Sequence, residues 1–274
     1  MSQLKLIQRY LRYYYQSDTL YQIHSPFVYS FAEHVLEDDR EFYVFQSAEK
    51  HRQLLLQNNT KIQLTDYGAG SHSGSNKSKT IKSIAKNAAS QKWQCQTLFR
   101  LVNFLKPKTM LEMGTSLGIS TIYQSQAAMN AQFITLEGDP QIAELSRMYF
   151  EDFNLKNVEL IEGEFGSTLQ SSLQKLKQLD YVFIDGNHRL TPTLQYFETC
   201  LKFAHGDSVF IFDDIHWSEE MEEAWEQVKK HPQVKISIDL FYMGIVFLRK
   251  GQREKENFIL SPLSWKPWAS LRAF

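Results

Sequence analysis

The sequence has few cysteines and no long apolar run, and each absence excludes a class of protein. Its 2 cysteines, Cys95 and Cys200, have neither the paired spacing of a zinc site nor the density of a disulfide scaffold. Lys5 and Arg9 interrupt the apolar stretch that a signal peptide would need at the start. No apolar run approaches the roughly 20 residues of a membrane span. These features predict a soluble, cytoplasmic protein without a membrane partner.

The sequence also lacks an excess of charge of either sign. It has 30 Lys and Arg against 31 Asp and Glu, which gives a net charge of -1. Proteins that bind nucleic acid by neutralising phosphates are typically basic, so we expect no nucleic acid partner. Hydrophobic residues make up 43% and charged residues 22% of the chain, as in ordinary globular proteins. Its 274 residues suffice for one large α/β domain with an N-terminal addition.

The N-terminal part of the sequence has mainly helical patterns. Leu4, Ile7, Leu11 and Tyr14 recur at helical spacing, which predicts that the chain opens with an amphipathic helix. Gly68–Ser78 is rich in glycine and serine and predicts a mobile surface loop. The alternative is that this loop begins a lid over a substrate, with its lysines meeting an anionic group.

After residue 107, short apolar segments alternate with helical ones. Alternation of this kind predicts a parallel sheet covered by helices, with all strand C-termini at one ligand-binding edge. The predicted strands are Met110–Met113, Phe133–Leu136, Val158–Ile161, Tyr181–Ile184 and Val209–Phe212, followed by an antiparallel hairpin of Val234–Leu240 and Ile245–Arg249. We expect an α/β, Rossmann-like sheet of seven strands in a domain of residues 90–274, and a helical N-terminal cap region of residues 1–89.

A glycine-containing turn follows the first of these strands. It carries Glu112 and then Gly114, Thr115, Ser116 and Gly118. Glycine suits a turn where the backbone passes close to a ligand or adopts a positive φ, and the next helix offers unsatisfied N–H groups at its start. A nicotinamide-binding enzyme would have G-x-G-x-x-G here, whereas this sequence has G-x-x-x-G.

The second strand ends in a carboxylate. Glu137 and Gly138 follow its last apolar residue, and a carboxylate at this point can accept both hydroxyls of a ribose. Asp139 precedes Pro140, and this pair predicts a helix N-cap with proline at the first helical position. We therefore assign ligand binding to Glu137 and capping to Asp139.

These features resemble class I S-adenosylmethionine (SAM)-dependent methyltransferases. The resemblance implies that Glu112 holds the amino acid part of SAM and that Glu137 holds its ribose. It also implies that Glu164, in the turn after the third strand, reaches the adenine. A solvated loop carboxylate is an equally good interpretation of Glu164.

Three carboxylates and two histidines follow the fourth and fifth strands. They are Asp185 and His188 after the fourth strand, and Asp213, Asp214 and His216 after the fifth. Carboxylates that follow a buried strand are costly to desolvate without partners or a metal ion. Their density favours a functional site over solvated loop residues.

This arrangement resembles the catechol O-methyltransferase type, and more closely a bacterial subgroup of it, over residues 94–249. The resemblance implies a divalent cation, Mg²⁺ or another, on Asp185, Asp213 and Asp214. His188 stands where the catechol type has its catalytic lysine, so the sequence departs from that type here and offers a histidine as the base instead. His188 and His216 are the candidate groups to assist deprotonation, and Asp185 belongs to both the catalytic and the SAM-binding set.

We therefore predict a SAM-dependent methyltransferase that methylates a hydroxyl of a small molecule. Two alternatives stay open: a nicotinamide-dependent oxidoreductase on a similar sheet, and a non-catalytic SAM-binding protein. Acceptors at nitrogen or carbon also stay open. The C-terminal aromatics Trp265, Trp268 and Phe274 predict a tail that docks on the body or on a second subunit, so a homodimer is a further expectation.

Overall fold

The computed structural model describes residues 3–64, 77–266 and 268. The chain divides into two compact units, Arg40–Asn187 and a second unit that combines Met1–Asp39 with His188–Phe274. The domain boundary that we expected near Ala89 does not coincide with this division. Helices on both sides of Ala89 belong to the same unit. Residues 68–76 of the predicted loop Gly68–Ser78 lie outside the described residues.

The described residues contain ten α-helices and ten strands. The helices are α1 (Gln3–Gln16), α2 (Pro26–Phe31), α3 (Tyr43–Gln57), α4 (Ile81–Asn87), α5 (Lys92–Leu105), α6 (Ile119–Ala127), α7 (Pro140–Asp152), α8 (Phe165–Leu176), α9 (Leu190–Leu201) and α10 (Glu219–Lys230). The strands are β1 (Lys61–Leu64), β2 (Lys77–Thr80), β3 (Thr109–Met113), β4 (Gln132–Glu137), β5 (Val158–Glu162), β6 (Leu179–Ile184), β7 (Ala204–Asp213), β8 (Ile236–Asp239), β9 (Met243–Phe247) and β10 (Glu256–Ile259). A π-helical turn, Ala32–Leu36, continues α2.

The unit of residues 40–187 contains four parallel strands in the order β6-β3-β4-β5. Strand β3 therefore has β4 on one side and β6 on the other, which is the crossover point where ligands bind in open α/β sheets. Strands β3, β4 and β6 are almost entirely buried, as parallel strands covered on both faces are. Strands β1 and β2 form a separate antiparallel pair.

Helices α3 and α5 belong to the core of this unit. Phe45 of α3, Phe99 of α5 and Tyr123 of α6 are buried together in one apolar cluster. Their rings lie 5.0–5.4 Å apart by centroid. Because α3 packs on α5 and α6 in this way, residues 40–89 belong to the unit of residues 40–187 rather than to a separate cap.

The second unit contains strands β7 to β10. Strand β9 runs antiparallel to β7 and β8, while β10 runs parallel to β8. The first unit thus has the four parallel strands β3 to β6 and the second the four strands β7 to β10, which confirms the predicted α/β class and the C-terminal hairpin. The predicted count of seven strands omitted β10, whose sequence Glu-Asn-Phe-Ile has no apolar run.

The two ends of the chain pack together in this unit. The Tyr13 hydroxyl donates to the Leu260 carbonyl at 2.5 Å, and the Tyr14 hydroxyl donates to the Trp265 carbonyl at 2.8 Å. Trp265 therefore docks on the body, as expected, while Phe274 lies outside the described residues. Within the described part of the chain, no helix combines the length and the apolar character needed to cross a membrane.

Candidate cofactor and catalytic site

The turn after β3 needs its two glycines for backbone conformation and packing. Gly114 has a φ of 106° and Gly118 a φ of 73°, values that favour glycine. A Cβ atom on Gly114 would lie 1.9 Å from the carbonyl oxygen of Asp185, and one on Gly118 would lie 2.5 Å from the ring of Phe150. The turn therefore packs tightly on the end of β6 and on α7.

Glu112 lies beneath this turn and is completely buried. One carboxylate oxygen accepts hydrogen bonds from Ser120 and Gln124, both at 2.8 Å. The other accepts from Thr121 at 2.5 Å and from Thr135 at 2.7 Å. Burial raises the pKa of Glu112 to about 7, although hydrogen bonds from the hydroxyl groups lower it.

These contacts place Glu112 in a buried hydrogen-bond network, in which four side chains donate to its carboxylate. Three of the four donors belong to α6, so Glu112 stabilises the start of that helix. Its contact with the amino acid part of SAM stays a prediction. The donors Ser120, Thr121 and Gln124 could have been suspected from the sequence, since they are polar residues of the helix that follows the glycine turn.

Thr115 and Ser116 form the middle of the turn. The Thr115 side chain is buried, and its hydroxyl lies 2.7 Å from that of Thr135. Ser116 has a φ of 47°, and its N–H donates to a Glu137 carboxylate oxygen at 2.8 Å. The Ser116 Oγ atom is buried, and no hydrogen-bond partner for it occurs among the described residues. The Thr115 hydroxyl is thus already engaged, whereas the Ser116 hydroxyl is not.

Glu137 ends β4 next to the turn. One carboxylate oxygen accepts from Ser116 and the other from the N–H of Asp139 at 2.9 Å. Burial raises the pKa of Glu137, and backbone donors, including that of Gly138, oppose this effect. Asp139 caps α7 as expected, since its carboxylate accepts from the N–H groups of Gln141 and Ile142 at 2.9 Å.

Glu164 follows β5, and Asp185 follows β6 next to the glycine turn. Glu164 is exposed and occupies the N-cap position of α8, where its carbonyl oxygen accepts from the N–H of Thr168 at 3.0 Å. Asp185 is half-buried, and its N–H donates to the Met113 carbonyl at 2.8 Å. The Asp185 charge contributes to the raised pKa of Glu112. Both residues thus lie at the C-terminal ends of parallel strands.

In the second unit, Asp214 follows β7 and interacts with His188. Asp214 has a φ of 55°, and its N–H donates to the Tyr242 carbonyl at 2.6 Å. Burial raises the pKa of Asp214, and the positive charge of His188 opposes this effect. The preceding residue, Asp213, is buried and pairs with Met243 of β9. Asp214 and His188 therefore lie close enough to interact electrostatically.

His216 is held between two carboxylates. Its Nε2 atom lies 2.8 Å from Asp239 and its Nδ1 atom 3.0 Å from Glu222. The imidazole also stacks on the ring of Phe241 at 5.2 Å. Burial lowers the pKa of His216, but the contacts with the two carboxylates outweigh this effect and raise it. Since both ring nitrogens contact carboxylates, neither is directed at a substrate proton.

The predicted cation site has less support than the other predicted sites. Among the residues that the structure describes, no group of three or more His, Cys, Asp and Glu side chains has the arrangement that holds a metal ion. The expected set of Asp185, Asp213 and Asp214 is therefore not such a group.

Comparison with known proteins places these residues in a known type of domain. A family model described as a methyltransferase domain matches residues 111–215. A catechol O-methyltransferase from Niastella koreensis is 27% identical over 118 residues, which cover 42% of this chain and 52% of the relative. A probable cobalt-precorrin-6B C(15)-methyltransferase (decarboxylating) from Sulfolobus acidocaldarius is 46% identical over 55 residues, or 20% of this chain and 27% of the relative.

The chain thus matches at most about half the length of these curated relatives. Its fold is similar to that of an O-methyltransferase from Bacillus cereus, solved in complex with SAH. The TM-score is 0.54 and the identity is 18%, with 76% of this chain and 92% of the other chain covered. Together, the matched segment and the structural similarity show that this chain has the class I SAM-dependent methyltransferase fold and that residues 111–215 match a methyltransferase domain.

Proposed function

We propose that this protein is a SAM-dependent methyltransferase that acts on a hydroxyl group of a small molecule. The observation that carries the proposal is the position of Glu137, at the end of β4 and hydrogen-bonded to the glycine turn of the matched domain. The acidic side chain and the turn have the chemistry that a nucleoside with an amino acid tail requires. When bound, SAM supplies a methyl group activated by a positively charged sulfur.

The residues around the turn fit this cofactor. In this proposal the Glu137 carboxylate releases the Ser116 N–H and accepts hydrogen bonds from the two ribose hydroxyls instead. One carboxylate can accept from both hydroxyls at once. The buried Ser116 hydroxyl is a ready partner for a polar group of the cofactor. Glu164 is exposed beside the turn after β5, where a carboxylate can accept from an adenine amino group.

The proton of the acceptor hydroxyl goes to His188 in this proposal. A neutral imidazole accepts a proton near neutral pH, and the neighbouring Asp214 carboxylate stabilises the imidazolium that forms. The hydroxyl oxygen becomes a stronger nucleophile as it loses its proton. His216 does not take part in this transfer because its two ring nitrogens already contact carboxylates.

Asp185, Asp213 and Asp214 remain the candidate ligands of a divalent cation, which would lower the pKa of the acceptor hydroxyl. Loss of activity in EDTA, with recovery on addition of Mg²⁺, would support a bound cation. Unchanged activity in EDTA would assign deprotonation to His188 alone.

The second candidate acceptor is carbon rather than oxygen. It is favoured by the 46% identical segment shared with a probable C-methyltransferase. A nicotinamide-dependent oxidoreductase is less favoured, since the turn has G-x-x-x-G and the matched family is a methyltransferase domain. A non-catalytic SAM-binding protein would keep the cofactor contacts and show no transfer to any acceptor.

Calorimetric titration with S-adenosylhomocysteine tests cofactor binding. We expect Glu137→Ala to weaken binding about 10- to 100-fold, because it removes charge-assisted hydrogen bonds. Glu162→Ala is a matched control, since Glu162 also ends a strand but contacts Arg147 on the surface. Equal affinities of wild type and Glu137→Ala would contradict the assignment, and so would binding of NAD in place of the cofactor.

Transfer of a labelled methyl group from SAM to a panel of catechols, other phenols and carbon acids tests the reaction. With a hydroxyl acceptor, His188→Gln should lower kcat by about 100-fold or more, as loss of a general base does. His34→Gln, at an exposed histidine of the π-helical turn, should leave kcat unchanged. Full activity of His188→Gln would exclude His188 as the base.

A further inference from the structure

Helix α1 exposes a row of large apolar side chains. Leu4, Ile7, Leu11 and Tyr15 are between 48% and 83% exposed. Their spacing of three and four residues places them along one face of the helix. Single exposed apolar residues are common on protein surfaces, but a contiguous row marks an interaction site.

One exposed tryptophan extends this row at its C-terminal end. Trp268 lies near the end of α1, because its ring is 6.0 Å from that of Tyr14. We call the set of Leu4, Ile7, Leu11, Tyr15 and Trp268 the α1 surface. Aromatic side chains are enriched at protein interfaces.

The other side of α1 is firmly attached to its unit. Tyr13 is buried, and its hydroxyl donates to the Leu260 carbonyl. Arg9 forms an ion pair with Glu222 at 2.8 Å and donates to the His216 carbonyl at 3.2 Å. The α1 surface is therefore already ordered for contact, so binding needs little further loss of conformational freedom.

We propose that the α1 surface joins two copies of this chain in a two-fold homodimer. The five side chains expose on the order of 600 Å², about three quarters of the roughly 800 Å² that each partner buries in a standard interface. A two-fold axis places the same surface of each copy against the other, so the apolar row of each copy covers that of its partner. This proposal is independent of the proposed reaction.

The charges beside the row favour a second copy over a lipid surface. Lys5 and Arg12 are exposed on α1, and Glu219, Glu220 and Glu223 are exposed on α10. The ion pair of Lys5 with Glu219 places these acidic residues next to α1. Both signs on one surface can match across a two-fold axis, whereas anionic headgroups would be repelled by the acidic residues.

Sedimentation equilibrium over micromolar concentrations tests this proposal. We expect the wild type to be a dimer, and the double variant Ile7→Glu with Leu11→Glu to raise the dimer dissociation constant about 100-fold or more. Met148→Glu is the matched control, because Met148 is 55% exposed on a different helix, α7. Far-UV circular dichroism and thermal melting should show that all variants remain folded, since the substituted side chains point to solvent.

A monomeric wild type, or a double variant that dimerises as strongly as the wild type, would overturn the proposal. Co-sedimentation with phosphatidylcholine–phosphatidylserine vesicles distinguishes the lipid alternative. Vesicle binding by a monomeric wild type, abolished in the double variant, would assign the α1 surface to a membrane instead. Retention of the dimer in the Met148→Glu control together with its loss in the double variant supports the assignment.

Discussion

Replacing Glu112 with glutamine should flatten the pH dependence of the stability of this protein. Glu112 has a pKa of about 7 in the folded state against an ordinary value of 4.5, chiefly because it is buried. Between these values the folded protein holds a proton that the unfolded chain releases. The contribution to stability is therefore complete below pH 4.5 and is lost as the pH rises to about 7. The difference corresponds to about 3 kcal/mol of unfolding free energy.

Urea unfolding at several pH values between 5 and 8, followed by tryptophan fluorescence, measures this effect. A glutamine at position 112 cannot ionise, so the wild type should lose about 3 kcal/mol relative to Glu112→Gln across the interval. A mismatch between the glutamine amide and its donors would shift the whole curve but not its slope. Glu162→Gln, at a half-exposed carboxylate, should keep the wild-type slope. Parallel curves for wild type and Glu112→Gln would refute the raised pKa.

Substitutions at three further positions test the glycine turn after β3, the N-cap of α7 and the histidine held between two carboxylates. Gly114→Ala should destabilise the protein by several kcal/mol more than Gly251→Ala in thermal unfolding, because both have a positive φ but only Gly114 faces the carbonyl of Asp185. Asp139→Ala should cost about 1 kcal/mol in urea unfolding through loss of the helix cap, and Asp139→Asn should recover most of it. His216→Gln should cost about 2 kcal/mol at pH 6. Because the pKa of His216 is raised, the wild type loses this advantage as the pH rises through that pKa, so the two proteins should converge at pH 9.

The order of strands and helices after residue 107 could be predicted from the sequence. Each buried parallel strand there is a short apolar run, and α7 begins at a recognisable signal, Asp139 with Pro140. Strand β10 could not be found in the same way, because its residues are half-buried and partly polar. The unit boundaries were also not visible in the sequence. Helix α3 joins the unit of residues 40–187 through contacts with α5 and α6, and these include residues more than 50 positions away in the chain.

The sequence by itself determined most of the elements after residue 107 and the set of polar residues at the strand ends, because hydrophobic periodicity and turn chemistry are local properties. Tertiary structure alone decided what those residues contact. It buried Glu112 among four donors, brought His188 close to Asp214, and held His216 between two carboxylates. It also turned the apolar row of α1 outward, although the pattern of Leu4 and Ile7 would equally suit a buried face. Periodicity shows that a helix has an apolar face, but which face is covered depends on packing between residues far apart in the chain.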